Sequence, residues 1–245
     1  MSITRTVPLV IERDIRILFS DSFLVGIMFA NFAIDLFITA ATFGNLIYPG
    51  YFLFIAPGSN FVTAAVAAFQ SGRDIWREKY IKDQTSYLLT LPVPRRLFAL
   101  SRIVSGVART LVTVFPGTLV ICYLYGILFS PLIFEAFLVV GLFGLGIVGL
   151  SIAVSAFSSS IEMFATVRSL IQLYLTFLST VFYDVSRFPS FLQPIVEANP
   201  MTWALGAFRE LRTNSLALLP ISILVLPSLT FAALGLAAYL RYSRL

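Results

Sequence analysis

The glycines of Gly144-Leu-Gly-Ile-Val-Gly149 have the spacing with which a tight turn lets backbone amides approach a dinucleotide's pyrophosphate. That chemistry needs a strand before the turn, a helix after it, and water around the phosphates. Here the stretch lies within a charge-free run from Ala136 to Ile161. Gly141, Gly144, Gly146 and Gly149 are therefore expected to let neighbouring helices approach closely. No G-x-x-x-x-G-K-[ST] stretch occurs, and the only lysines are Lys79 and Lys82. With no histidine and a single cysteine, Cys122, the chain lacks the makings of a zinc site and of a Cys–His or Ser–His–Asp nucleophile system. Neither a catalytic group nor a metal ligand set is expected.

A second cluster invites binding rather than catalysis. Between Arg73 and Arg96 charge is dense, whereas Leu36 to Gly72 carries none. Arg73, Arg77, Glu78 and Lys79 alternate with Ile75, Trp76 and Tyr80, and the stretch as far as Leu88 can form a helix. Leu91-Pro-Val-Pro94 then redirects the chain. An apolar ridge edged by mixed charge suits a docking surface, with aromatic anchors for affinity and charges for register. The same pattern also fits a helix resting on lipid headgroups.

The elements around these residues follow from composition. Of 245 residues 58% are hydrophobic and 12% charged, about half the charge of an ordinary soluble domain. Mean hydropathy is +0.92. A bilayer solvates such a surface directly, and a helix of roughly 20 apolar residues crosses it. Six runs qualify: 23–41, 51–72, 106–129, 134–155, 163–183 and 216–240. Gly44 to Gly50 supplies the turn between the first two. The runs are too long and unalternating for barrel strands. The expected fold is an all-α integral membrane protein of one domain. A removable leader is not expected, because the first run begins only after Glu12, Arg13, Asp14, Arg16 and Asp21.

Ionisable groups inside spans cost about 2.5–3.5 kcal/mol at the bilayer centre, so each needs a role. Asp35, one turn after Asn31, can line a pathway or lie close enough to the outer interface to be hydrated. Arg109 and Arg168 sit one to two turns from the inner ends of their spans. Both can snorkel to that interface or stand beside a substrate entrance.

Positive charge sets orientation. Arg5, Arg13, Arg16, Arg241, Arg244 and the charged island fall on one side, and Arg187, Arg209 and Arg212 on the other. Both termini and the segment 73–98 are therefore expected in the cytoplasm, and nucleic-acid binding is not expected. Residues 8–21 have an apolar stripe suited to an interfacial helix or to an extension of the first span. The segment 188–212 is too apolar for a solvated external loop. Pro189 interrupts it, and Asn199-Pro200 is a helix start, with a cap followed by a proline at the first helical position. The amphipathic helix that follows includes Trp203. Short helices dipping into the outer leaflet account for this segment.

Three stretches in this order carry a likeness. Arg77 to Val104 combines mixed charge, an LL-x-x-P step and a basic entry to the third span. Phe188 to Arg212 holds P-x-x-L and N-P-M-T. With six spans and a long second cytoplasmic loop, the chain resembles the membrane subunits of ABC-2-type exporters across essentially its whole length. Where that family often has G-T-x-E before LL, this chain has Gln84-Thr-Ser-Tyr87.

The resemblance implies a multi-pass cell-membrane permease that performs no chemistry. A second permease copy would pair with it, and two separate ABC ATPase subunits would hold ATP and magnesium. Arg73, Ile75, Trp76, Arg77, Glu78, Lys79 and Tyr80 would form a coupling helix seated on the ATPase. Pro189, Asn199, Pro200 and Trp203 would belong to external re-entrant helices, and Asn31, Asp35 and Arg168 are possible pathway residues. The cargo expected is a hydrophobic drug or lipid-like molecule. A lipid-linked glycan is the alternative cargo, and a stand-alone secondary transporter the alternative mechanism.

Overall fold

The computed structural model of the chain describes residues 50–80, 94–213 and 218–242, together with the single positions 8, 12, 13, 16, 26, 30, 33, 34 and 38. All its regular structure among the described residues is helical. We label the α-helices α1 (Tyr51–Tyr80), α2 (Arg95–Leu124), α3 (Leu132–Phe157), α4 (Ile161–Phe177), α5 (Gln193–Glu197), α6 (Pro200–Glu210) and α7 (Leu218–Tyr242). Single 3-10 turns occupy Val185–Arg187 and Leu211–Thr213. Among the described residues, four helices are long and apolar enough to cross a membrane: α1, α2, α3 and α7. The run expected at 23–41, the interfacial stretch 8–21 and the residues Asn31 and Asp35 lie mostly or wholly outside the described residues.

Several boundaries differ from expectation, each for a local reason. The second span was expected to end at Gly72, but α1 continues unbroken to Tyr80. Ion pairs to α2 and burial of Ile75 and Trp76 support this overhang. The third helix starts at Arg95, behind Pro94, instead of at 106. It stops at Leu124 because Gly126 adopts a left-handed φ of 74°. The Ile127 amide then reaches back to the Cys122 carbonyl (2.9 Å) and the Gly126 amide to that of Tyr123 (3.0 Å), which together close a Schellman motif. The fifth run, expected over 163–183, is helical only from Ile161 to Phe177. At 1.5 Å per residue it is about 25 Å long, short of a full crossing.

The central element is α3, which packs against α1, α2, α4, α6 and α7. Its glycines make this possible. A Cβ on Gly235 of α7 would collide with the Gly149 carbonyl, and one on Gly149 would collide with the backbone of Phe231 and Ala232. Gly146 faces Ser228 in the same parallel register. On the opposite flank, Gly72 of α1 abuts Ser151, whose hydroxyl accepts from the Gly72 amide (3.0 Å) and donates to the Phe69 carbonyl (3.1 Å). In lipid, helices gain little hydrophobic drive from one another, so close backbone contact and such hydrogen bonds supply the cohesion. Phe61, Phe143 and Phe208 fill the outer core with two edge-to-face contacts. Leu170, Leu173, Leu226, Leu229 and Leu234 point away from the bundle, as lipid-facing residues do.

Gly235→Ala is expected to destabilise the bundle by roughly 1–3 kcal/mol through overpacking. Gly206→Ala in α6, where a Cβ meets nothing within 4 Å, should instead stabilise it by about 0.5–1 kcal/mol through helix propensity. Thermal unfolding of the detergent-purified variants measures both.

Candidate functional site

Two polar regions lie at opposite ends of the bundle. At one end, proline opens a helix. Pro57 in α1 has no N–H for the Leu53 carbonyl four residues earlier. Tyr125 fills the gap, its hydroxyl donating to that carbonyl at 3.0 Å. Burial pushes the Tyr125 phenol up to about 12, so the proton needed for this bond stays in place across the physiological range. The next carbonyl, Phe54, accepts from Arg209 Nε (3.2 Å) and Nη2 (2.9 Å), and the guanidinium lies 3.7 Å over the Phe54 ring.

Immediately beside this, α4 unwinds after Phe177, and side chains take up its backbone groups one by one. The Asn199 amide donates to the Tyr174 (2.9 Å) and Leu178 (2.7 Å) carbonyls. Thr202 Oγ1 accepts from the Thr180 amide (3.3 Å), Arg209 donates to the Thr180 carbonyl (2.7 Å), and Tyr51 donates to that of Phe182 (2.8 Å). Asn199 is fully buried, and its Oδ1 accepts from the Met201 amide (2.9 Å). One side chain therefore closes the C-terminus of α4 and caps α6. Pro200 stands at the start of α6, as the Asn-Pro step predicts. Trp203 is half-buried against the core, and Pro189 is exposed in the preceding turn.

At the other end, α1 carries the charged island. Glu78 accepts from Arg102 (2.7 Å) and lies 3.5 Å from Arg13, while Asp74 pairs with Arg109. Arg109, expected to snorkel, is instead tied to α1. With the Asn60–Thr118 bond (3.0 Å), these pairs hold α1 and α2 in one antiparallel register. Part-buried pairs add little net stability, but losing one partner leaves the other charge partly desolvated.

The expected docking ridge is divided by this packing. Ile75 and Trp76 turn into the chain, and the Trp76 indole donates to the Ser158 carbonyl (3.2 Å) at the end of α3. Tyr80 is exposed, with its ring 4.7 Å from that of Trp76. Arg77 is exposed, Arg73 and Glu78 are half-buried, and Lys79 lies in the same last turns of α1. Residues 81–93 of the island lie outside the described residues. Arg168 sits on the face of α4 that turns toward the bundle, in line with Phe164, Ile171 and Leu175. The roles of Arg209 and Tyr125 were missed. The only local signal for them was Pro57, which announces an unpaired carbonyl without saying what reaches it.

Asn199→Ala should cost about 2–4 kcal/mol, summing a lost cap and two lost hydrogen bonds. Asn199→Asp keeps the acceptor for Met201 but sets a carboxylate against two carbonyls, and should unfold at least as early in thermal melts.

Comparison with protein families matches residues 7–211, most of the chain, to the ABC-2 type transporter. Comparison with curated proteins gives no match.

Proposed function

This chain belongs to the ABC-2 type transporter family and is a membrane permease of an ABC transporter; from that premise we propose that it is the pathway-forming subunit of an ATP-driven exporter. In this reading two copies pair in the cell membrane, and each engages one separate ATPase subunit that binds ATP and magnesium. Both termini face the cytoplasm, and the cargo is a hydrophobic drug or lipid-like molecule.

The observation that carries the coupling is the overhang of α1. A helix continues past its apolar span into charge, and part-buried ion pairs tie it to α2. Force applied at such a tip moves whole helices instead of bending a loop. Arg77, Lys79 and Tyr80 at the tip are the grip, joined by residues 81–93. Ile75 and Trp76 serve the grip indirectly, by seating the overhang on the α3–α4 junction. ATP-driven closure of the ATPase pair would then rock the helices as rigid bodies.

The test is purification of the tagged full-length chain from its native membrane, with a photoreactive ATP analogue to label what accompanies it. The expected result is a labelled P-loop subunit, no ATP hydrolysis by this chain alone, and loss of most of the labelled partner on Arg77→Glu. Arg187→Glu, an exposed change at the other end, should leave the partner bound. Ion-gradient-driven flux in liposomes containing only this chain would overturn the reading.

A further inference from the structure

Among the described residues, two acids near the charged end of the bundle each face two arginines. Arg13 and Arg102 share Glu78, and Arg73 and Arg109 share Asp74. Arg73 is poorly served: its Nε lies 3.9 Å from Asp74, beyond hydrogen-bond reach, and has no other acceptor among the described residues. Arg168 is not served at all. Among the described residues it makes no hydrogen bond or ion pair, and the charge it feels is that of another cation, Arg73. One turn further along α4, on the same face, both polar atoms of the Gln172 amide are buried without partners. Gln70 Oε1, one turn before Arg73 on α1, is also buried and unpartnered.

A half-buried guanidinium beside a like charge is costly to fold, and native proteins seldom leave several neighbouring polar groups unsatisfied. Arg168 cannot be relaxed toward the lipid as a snorkelling residue would be, because it lies on the inward stripe of α4. Its flanks, Phe164, Ile171 and Leu175, are apolar. The missing component is an anion with several acceptor oxygens, attached to something that tolerates an apolar wall. Guanidinium groups bind phosphate and carboxylate through paired hydrogen bonds, and the Gln172 amide adds a further donor.

We propose that Arg168 and Arg73, assisted by Gln172, form a binding site on the α1–α4 seam for the phosphate headgroup of an amphiphile. This deepens the reading of the chain as a permease for lipid-like cargo and rests on it. The headgroup belongs either to the cargo in transit or to a lipid kept in place.

The full-length protein in dodecyl maltoside is titrated with dodecyl phosphate, and the complex is counted by native mass spectrometry. Wild type should bind it, and Arg168→Gln and Arg73→Gln should each weaken binding by roughly tenfold or more. Arg168→Lys, which keeps the charge but loses the paired hydrogen bonds, should fall between wild type and Arg168→Gln, and Arg187→Gln should bind as wild type does. Without ligand, Arg168→Gln should melt higher than wild type, because it removes an uncompensated charge. Arg102→Gln, which strips Glu78 of the closer of its two partners, should melt lower. Phosphatidylglycerol carried through purification and displaced by dodecyl phosphate supports the site as a station for cargo. Phosphatidylglycerol that resists displacement supports it as a seat for a resident lipid.

Equal dodecyl phosphate binding by wild type and Arg168→Gln overturns the proposal. So does a ligand-free Arg168→Gln protein that melts lower, since Arg168 would then have an acceptor within the fold. The measurement needs no ATPase, so its failure is distinct from failure of the coupling test.

Discussion

The structure depends on satisfying the backbone carbonyls that irregular helices leave open. Two interruptions meet at one end of the bundle, the hydrogen bond missing at Pro57 in α1 and the early stop of α4. Exposed carbonyls in an apolar medium cost several kcal/mol each. Leu53, Phe54, Tyr174, Leu178, Thr180 and Phe182 are answered by Tyr125, Arg209, Asn199 and Tyr51. Three of those four come from α6 or from the loops beside it and α2. The short helix α6 is thus less an appendage than the plug that allows two longer helices to be irregular. Its Asn-Pro start is needed twice, for its own first turn and for the last turn of its neighbour.

The opposite end solves a different problem by different means. There the helices leave apolar surroundings, and charge, not hydrogen-bonded carbonyls, sets how α1 and α2 align. Glu78 and Asp74 lie one turn apart and select Arg102 and Arg109, about two turns apart on the partner helix. A slip of α1 by one turn would leave both half-buried acids beside the wrong residues. The pairs therefore fix register, and register is what a helix must keep if it is to carry force. Trp76 adds a third tie, to the α3–α4 junction.

Much of this was legible in the sequence, and the limits have physical causes. Charge-free length located α1, α3 and α7 well, because the bilayer demands length and apolarity of every span. The Asn199-Pro200 start was readable because capping is local. The glycines of α3 were readable as packing residues because no phosphate could be hydrated there. The end of α2 was misplaced because hydropathy runs on past Leu124 while Gly126 stops the helix. The end of α4 was misplaced because its unwinding depends on side chains some 20 to 30 residues further on, and on Tyr51, about 130 residues earlier. The partition of the island into inward Ile75 and Trp76 and outward Arg77 and Tyr80 was equally hidden. Alternating charge and aromatics look alike whichever face turns in.

The contact between Gly149 and Gly235 bears on how the bundle is made. A ribosome delivers α3 to the membrane some 80 residues before α7, so the groove that will accept the last helix is first lined by acyl chains. Those must be expelled before two bare backbones can touch. Assembly therefore ends with a delipidation step, and its rate should be sensitive to the thickness and fluidity of the host bilayer.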